Sequence, residues 1–73
     1  MGRVLDRADL GHRLRDIRGY RPQREIAQEL GVSTSTVGMY ESGERVPRDA
    51  VKIKYAEISG KTVQEIFFDT DAT

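Results

Sequence analysis

The chain contains no cysteine and a single histidine, His12, among its 73 residues. Without cysteine it can form neither a disulfide framework nor a thiolate metal site, and one histidine cannot supply a cluster of metal ligands. A domain this short buries only about 60% of the surface that its unfolded chain exposes. We therefore expect one small domain, held together by apolar packing, with no metal or cofactor and with His12 facing solvent.

Long hydrophobic runs and catalytic groupings are missing as well. No segment approaches the roughly 18 consecutive apolar residues of a membrane span, and the start, MGRVLDRADL, lacks the apolar centre of a signal peptide. The residues present cannot combine into a nucleophile with its base, a carboxylate pair, a phosphate loop or a metal cluster. The sequence thus predicts a cytoplasmic protein that is not an enzyme and has no evident small-molecule substrate.

The net charge is zero, but the charges are unevenly distributed along the chain. Residues 12–24 hold five arginines against one aspartate, a net charge of +4, whereas the chain from Ala56 onward has a net charge of −3. A basic front and an acidic back are compatible with binding a phosphate backbone on one side. A solvated helix face explains the same pattern equally well.

Apolar residues recur with the period of a helix, and no stretch alternates with period two for long enough to indicate a sheet. The pattern predicts a first helix over 7–18, with Asp6 or Asp9 as its cap. The second helix is predicted to have Pro22 at or near its first turn and Gly31 directly after its last apolar residue.

Three more helices follow. The third is predicted over 34–41 with Ser33 as its N-cap, and the fourth is predicted to start at Pro47 and to end at Gly60. Thr62, followed three residues later by a glutamate, has the spacing of a capping box that opens a short last helix.

The link between the second and third helices is only three residues long, Gly31, Val32 and Ser33. So short a link holds the two helix axes at a steep angle. Gly31 can adopt a positive φ without penalty, and Ala27 is small enough to let the helices approach closely. These are the residue types and the spacing that a DNA-binding helix-turn-helix requires.

This region resembles the Xre/Cro-type, phage-repressor-like helix-turn-helix family, and the later stretch AEISGKTVQEIF resembles the closing segment of that family. The resemblance extends over about residues 10–67 and implies an all-α, compact five-helix DNA-binding domain. We assign residues 1–68 to this domain and 69–73 to a frayed acidic tail. The matching positions are Gln23, Ile26, Ala27, Leu30, Gly31, Val32, Ser33, Thr36, Val37, Glu41, Gly43 and Pro47.

The resemblance implies that the third helix enters the major groove and contacts bases through Thr34, Ser35, Gly38 and Met39. Hydroxyls can exchange hydrogen bonds with base edges, and methyl groups can pack on thymine. Gly38 costs a helix about 1 kcal/mol relative to alanine, so we expect a compensating role, with a merely tolerated surface glycine as the alternative. Positions 34–39 contain no Arg, Lys, Asn or Gln, so specificity would rest on van der Waals contacts, water or DNA shape.

The resemblance also implies contacts to DNA phosphates and a structural ion pair. Glu41 is expected to pair with Arg18 near the end of the first helix, although Arg15 is an alternative because the interval to Gln23 is short for the family. Tyr20 could lie along a phosphate, but we favour a role in covering the loop between the first two helices. The expected phosphate contacts are Gln23, Ser33, Thr36, Arg21, Arg24, Arg45 and Arg48.

The function implied is a sequence-specific transcriptional regulator, most simply a repressor, that binds a palindromic operator as a homodimer. The expected dimer interface is Val63, Ile66 and Phe68, with Phe67 in the core and Phe68 exposed. An alternative is a protein-interaction module, such as an antitoxin or antirepressor partner, with weak DNA binding. The short side chains at 34–39 and the zero net charge favour that alternative.

Overall fold

The computed structural model describes residues 3–4 and 6–69 of the chain. They form the helices α1 (Arg7–Arg18), α2 (Gln23–Leu30), α3 (Thr34–Ser42), α4 (Asp49–Ser59) and α5 (Val63–Phe67), and the two-residue strands β1 (Arg3–Val4) and β2 (Phe68–Asp69). The strands pair antiparallel. The predicted all-α, five-helix fold is confirmed, and the short strand pair is an addition to it. No helix in the described part of the chain is long and apolar enough to cross a membrane.

The helix ends follow local capping signals. The side chain of Asp6 accepts a hydrogen bond from the N–H of the second residue of α1, and the side chain of Ser33 accepts one from the N–H of the third residue of α3. Thr62 and Glu65 form a complete capping box at the start of α5. The prediction that α4 starts at Pro47 is wrong, because Pro47 is a buried loop residue and the helix begins two residues later, at Asp49.

One continuous core joins all five helices. At its centre the ring of Tyr55 packs edge-to-face against Tyr40 and Phe67, with ring centroids 6.3 and 6.2 Å away. Because α3 packs against both α1 and α2, its orientation is fixed from two sides. The buried apolar residues are Leu10, Leu14, Ile26, Ala27, Leu30, Val37, Tyr40, Val51, Tyr55, Ile66 and Phe67.

The close contact between α1 and α3 depends on Gly11, which is buried in the middle of α1. A Cβ atom at this position would overlap the carbonyl oxygen of Glu41 and lie 2.8 Å from its carbonyl carbon. Only glycine allows the two backbones to approach this closely. The sequence pattern did not identify this role for Gly11.

The C-terminal part of the fold changes the predicted dimer surface. Ile66 is 0% exposed and belongs to the core, so the prediction that it forms part of an interface is wrong. Phe67 is buried as predicted, whereas Phe68 is half-buried against the core and not fully exposed. In the predicted tail the backbone of Asp69 pairs with β1, and residues 70–73 lie outside the described residues.

Candidate nucleic-acid interface

The link between α2 and α3 is a compact turn. Gly31 adopts a left-handed conformation with φ of 74°, and the N–H of Val32 donates to the carbonyl of Ala27 over 3.0 Å. Ser33 then starts α3 with its hydroxyl accepting from the N–H of Thr36 at 3.1 Å. These hydrogen bonds fix the angle at which α3 leaves α2.

The four predicted base-contact residues share the outward side of α3. Thr34 and Ser35 are exposed, and Gly38 and Met39 are partly exposed. Val37, on the opposite side, is completely buried. The helix therefore presents a continuous surface to the outside, with small side chains at every position but Met39, and its buried side holds it in place.

The hydroxyl groups at the start of α3 also bond with one another. The Ser33 hydroxyl lies 2.7 Å from that of Thr36 and 3.1 Å from that of Ser35. Part of the hydroxyl run thus serves to cap the helix. A DNA contact by Ser35 would have to replace or share its internal hydrogen bond.

A buried carboxylate anchors the other end of α3. Arg18 donates from Nε to Glu41 Oε2 over 2.7 Å and from Nη2 to Oε1 over 2.9 Å. The predicted pair is therefore present, and Arg15 is a more distant neighbour, with its Nε 3.9 Å from Oε1. Gln23 adds a third hydrogen bond, from Nε2 to Oε1 over 3.1 Å, which the sequence pattern did not reveal.

The charged states of this pair support one another. Burial alone raises the pKa of Glu41, but the hydrogen bonds from Arg18 and Gln23 and the charge of Arg18 lower it more, so the net pKa lies below the usual value. The hydrogen bond to Glu41 raises the pKa of Arg18 against the opposing effect of desolvation. Glu41 and Arg18 consequently form a charged, bidentate bridge between α1 and α3.

The loop between α1 and α2 is closed by hydrogen bonds between Arg18 and Arg21 and not by an aromatic cover. Arg18 Nη1 donates to the carbonyl of Arg21 over 2.8 Å, and the Arg21 N–H donates back to the carbonyl of Arg18 over 3.3 Å. Tyr20 is fully exposed, so the prediction that its ring covers this loop is wrong. The alternative, a phosphate contact by Tyr20, stays a prediction.

Two of the predicted phosphate-binding arginines lie beside the start of α3. Arg45 and Arg48 are exposed and line one groove together with Ser33 and Thr36. Two arginines and two hydroxyl residues thus lie around one groove beside the start of α3, which apolar residues such as Leu30 and Val32 also line. Such a grouping suits a phosphate oxygen, because it offers charged donors in a solvent-accessible position.

The arginine run at residues 12–24 does not form one open basic face. Arg21 is engaged by Glu29 at 3.0 Å and by Glu25 at 3.7 Å, which reduces its availability to a phosphate. Arg13 donates to a backbone carbonyl near the end of α5 over 2.7 Å and so has a structural role. Arg24 is exposed and remains a candidate phosphate contact.

Gln23, predicted to contact a phosphate, lies next to Gly38. A Cβ atom at Gly38 would be 3.9 Å from both Oε1 and Nε2 of Gln23, an ordinary van der Waals distance. Packing within the protein therefore does not require glycine at position 38. The carboxamide of Gln23 lies over the place where a side chain of residue 38 would begin.

Comparison with known proteins agrees with this geometry. The family model described as a helix-turn-helix domain matches residues 9–65. No curated protein matches the chain closely in sequence.

Several solved structures share the fold. The restriction-modification controller protein C.AhdI from Aeromonas hydrophila is 30% identical, with a TM-score of 0.73 over 85% of this chain and 93% of its own. The P22 c2 repressor, solved in complex with a synthetic operator, is 18% identical, with a TM-score of 0.75 over 80% and 91% of the two chains. The SOS-response repressor LexA from Eubacterium rectale is 21% identical, with a TM-score of 0.79 over 93% and 74%.

Proposed function

The chain belongs to the helix-turn-helix family, of the Xre/Cro, phage-repressor-like type, and on this basis we propose that it is a sequence-specific, double-stranded DNA-binding transcriptional regulator. The observation that carries the proposal is the outward surface of α3, where Thr34, Ser35, Gly38 and Met39 lie on a helix fixed by α1 and α2. A helix held in this manner fits the major groove with its N-terminal half against the bases. The operator bound by the P22 c2 repressor supports the same role here.

The groove lined in part by Ser33, Thr36, Arg45 and Arg48 would anchor the sugar-phosphate backbone beside α3. Such contacts position the protein without selecting a sequence. Each neutralised phosphate releases counterions, so affinity should fall steeply as salt rises. A plot of the logarithm of the binding constant against the logarithm of the salt concentration should have a slope of about −0.9 per phosphate contact. The zero net charge of the whole chain does not argue against phosphate binding, because a phosphate responds mainly to the charges close to it.

We also propose that the protein is a repressor that binds a palindromic operator as a homodimer. One short recognition helix makes few base contacts, so two copies on half-sites about one DNA turn apart would supply the missing affinity. Val63 and Phe68, which are half-buried in the single chain, are the remaining candidates for the dimer surface. The named repressors among the structural relatives support the repressor assignment.

A selection from random duplex DNA tests the central proposal. The intact chain should enrich a motif with two related half-sites, and its affinity for that motif should fall steeply as salt rises. The double variant Arg45→Ala/Arg48→Ala should bind the same motif more weakly, with the salt slope reduced by about two. If no duplex is enriched even at low salt, the protein-interaction module becomes the better account.

The dimer proposal needs a substitution that keeps the fold. Truncation after Ser59 would remove Ile66 and Phe67 from the core, so loss of folding would obscure any change in assembly. We instead compare Val63→Glu with the exposed neighbour Gln64→Glu by sedimentation, with and without the selected duplex. Val63→Glu should shift the complex from two chains per duplex to one, whereas Gln64→Glu should not. Identical masses for both variants would remove Val63 from the interface.

A further inference from the structure

The recognition helix lacks the side chains that normally discriminate bases most strongly. Bidentate hydrogen bonding to a base edge uses Arg, Lys, Asn or Gln, and residues 34–39 contain none of them. Gly38, in the middle of the outward surface, contributes no side chain at all. The only amide that the structure places next to this gap comes from another helix, at Gln23 in the first turn of α2, as judged from the described residues.

The position of this amide is well defined. Both Oε1 and Nε2 of Gln23 lie 3.9 Å from the point that a Cβ atom of Gly38 would occupy. Nε2 also donates to Glu41 Oε1 over 3.1 Å, and Glu41 is in turn held by Arg18. The carboxamide is thus oriented before any ligand arrives, at the location where a side chain of residue 38 would extend.

The hydrogen-bonding capacity of Gln23 is only partly used. A carboxamide has two N–H donors and an acceptor oxygen, and the bond to Glu41 uses one donor. Among the described residues, the second N–H and the oxygen have no hydrogen-bond partner. A carboxamide pairs with N7 and N6 of adenine in the major groove through the N–H on the same side as its oxygen, so this pairing requires the bond to Glu41 to use the other N–H.

We propose that Gln23 is a specificity-determining residue that recognises a base edge, with adenine as the preferred base, through the gap left by Gly38. The inference rests on the proposed DNA binding by α3, and it replaces the expected phosphate contact of Gln23. Gly38 has the complementary role, because a long side chain at position 38 would compete with the amide for the same space. According to this proposal, α2 supplies the amide that recognises the base, because α3 has no such side chain.

Selection from random duplexes by the wild type and by Gln23→Ala tests the proposal. Loss of a bidentate contact should reduce discrimination at one position of each half-site by roughly 5- to 150-fold, while the preferences at other positions stay. The matched control Arg48→Ala should weaken binding to all sequences alike. A uniform loss for Gln23→Ala with a salt slope reduced by about one would identify a phosphate contact and overturn the proposal, as would an unchanged preference.

A second measurement uses the unmodified protein, because Gln23→Ala also removes a hydrogen bond to Glu41. The side-chain amide signals of Gln23 should shift on binding the selected duplex, and most of that shift should be lost when 7-deazaadenine replaces the preferred adenine. Shifts that are the same with both duplexes would overturn the proposal. If the wild type enriches no sequence at all, the proposed DNA-binding function fails first, and this inference falls with it.

Discussion

The guanidinium of Arg18 holds the carboxylate of Glu41 through two hydrogen bonds, of 2.7 and 2.9 Å, and so joins the end of α1 to the end of α3. Glu41 is only 6% exposed, and it is the one buried charged residue in the described part of the chain. A buried pair of this kind adds little net stability, but removal of one partner leaves the other charge without compensation. The pair therefore sets how the recognition helix is oriented against the rest of the domain.

Glu41→Ala should lower the free energy of unfolding by about 3 kcal/mol, because Arg18 and Gln23 would both lose their acceptor. Urea unfolding followed by circular dichroism measures this loss. The control Glu29→Ala breaks an exposed ion pair with Arg21 and should cost less than about 1 kcal/mol. A fully folded Glu41→Ala protein with unchanged DNA affinity would show that the pair is dispensable.

The free energy of unfolding should decrease at low pH because the carboxylate of Glu41 becomes protonated. Its pKa in the folded chain lies below the ordinary value of 4.5, so its stabilising contribution is complete above that value and is lost as the pH falls through the folded pKa. Glu41→Gln should therefore flatten the acid limb of the curve of unfolding free energy against pH. The lowered pKa of Glu65 leaves a residual slope in this variant. Exposed Glu57→Gln is the control, and an equal flattening in both variants would contradict the assignment.

Two glycine substitutions should have opposite effects. Gly11→Ala should destabilise the protein by about 1–3 kcal/mol, because the added methyl group overlaps the backbone of α3 at Glu41. Gly38→Ala should stabilise it by up to about 1 kcal/mol, because the added methyl group meets only ordinary contacts and alanine favours a helix. Thermal unfolding of both variants compares them directly. A stabilising Gly11→Ala would mean that α1 and α3 can separate at little cost.

The hydroxyl of Tyr55 is buried and has no hydrogen-bond partner among the described residues. Burial, together with the nearby charge of Glu41, raises the pKa of Tyr55 above its ordinary range. Tyr55→Phe keeps the ring contacts and removes an unsatisfied polar group, so the unfolding free energy should stay the same or rise by about 1 kcal/mol. A loss greater than about 1 kcal/mol in urea unfolding would show that the hydroxyl is hydrogen-bonded in solution.

Local signals in the sequence accounted for most of the helix boundaries. The cap at Ser33, the capping box at Thr62 and the left-handed glycine at Gly31 act within a few residues of themselves, so they could be recognised without the fold. Pro47 was misleading, because its fixed φ suits a loop before a helix as well as a first helical turn.

Contacts between helices were mostly hidden from sequence reasoning. The role of Gly11 depends on the distance between two backbones, and the proximity of Gln23 to Gly38 depends on the angle between α2 and α3. Ile66 was expected at a surface, but a helix as short as α5 has no clear apolar period and Ile66 lies in the core. The resemblance to a family identified the Arg18–Glu41 pair, which periodicity alone could not have done.

The most direct test of the account is a map of the surface that binds DNA, obtained from backbone amide signals as the selected duplex is added to the isotope-labelled protein. We predict the largest shifts at Ser33–Met39 and around Arg45 and Arg48, with small shifts in α5 away from any dimer contact. Largest shifts in α5 and β2 with α3 unchanged, or no shifts at low salt, would contradict the claim that α3 presents its outward surface to DNA.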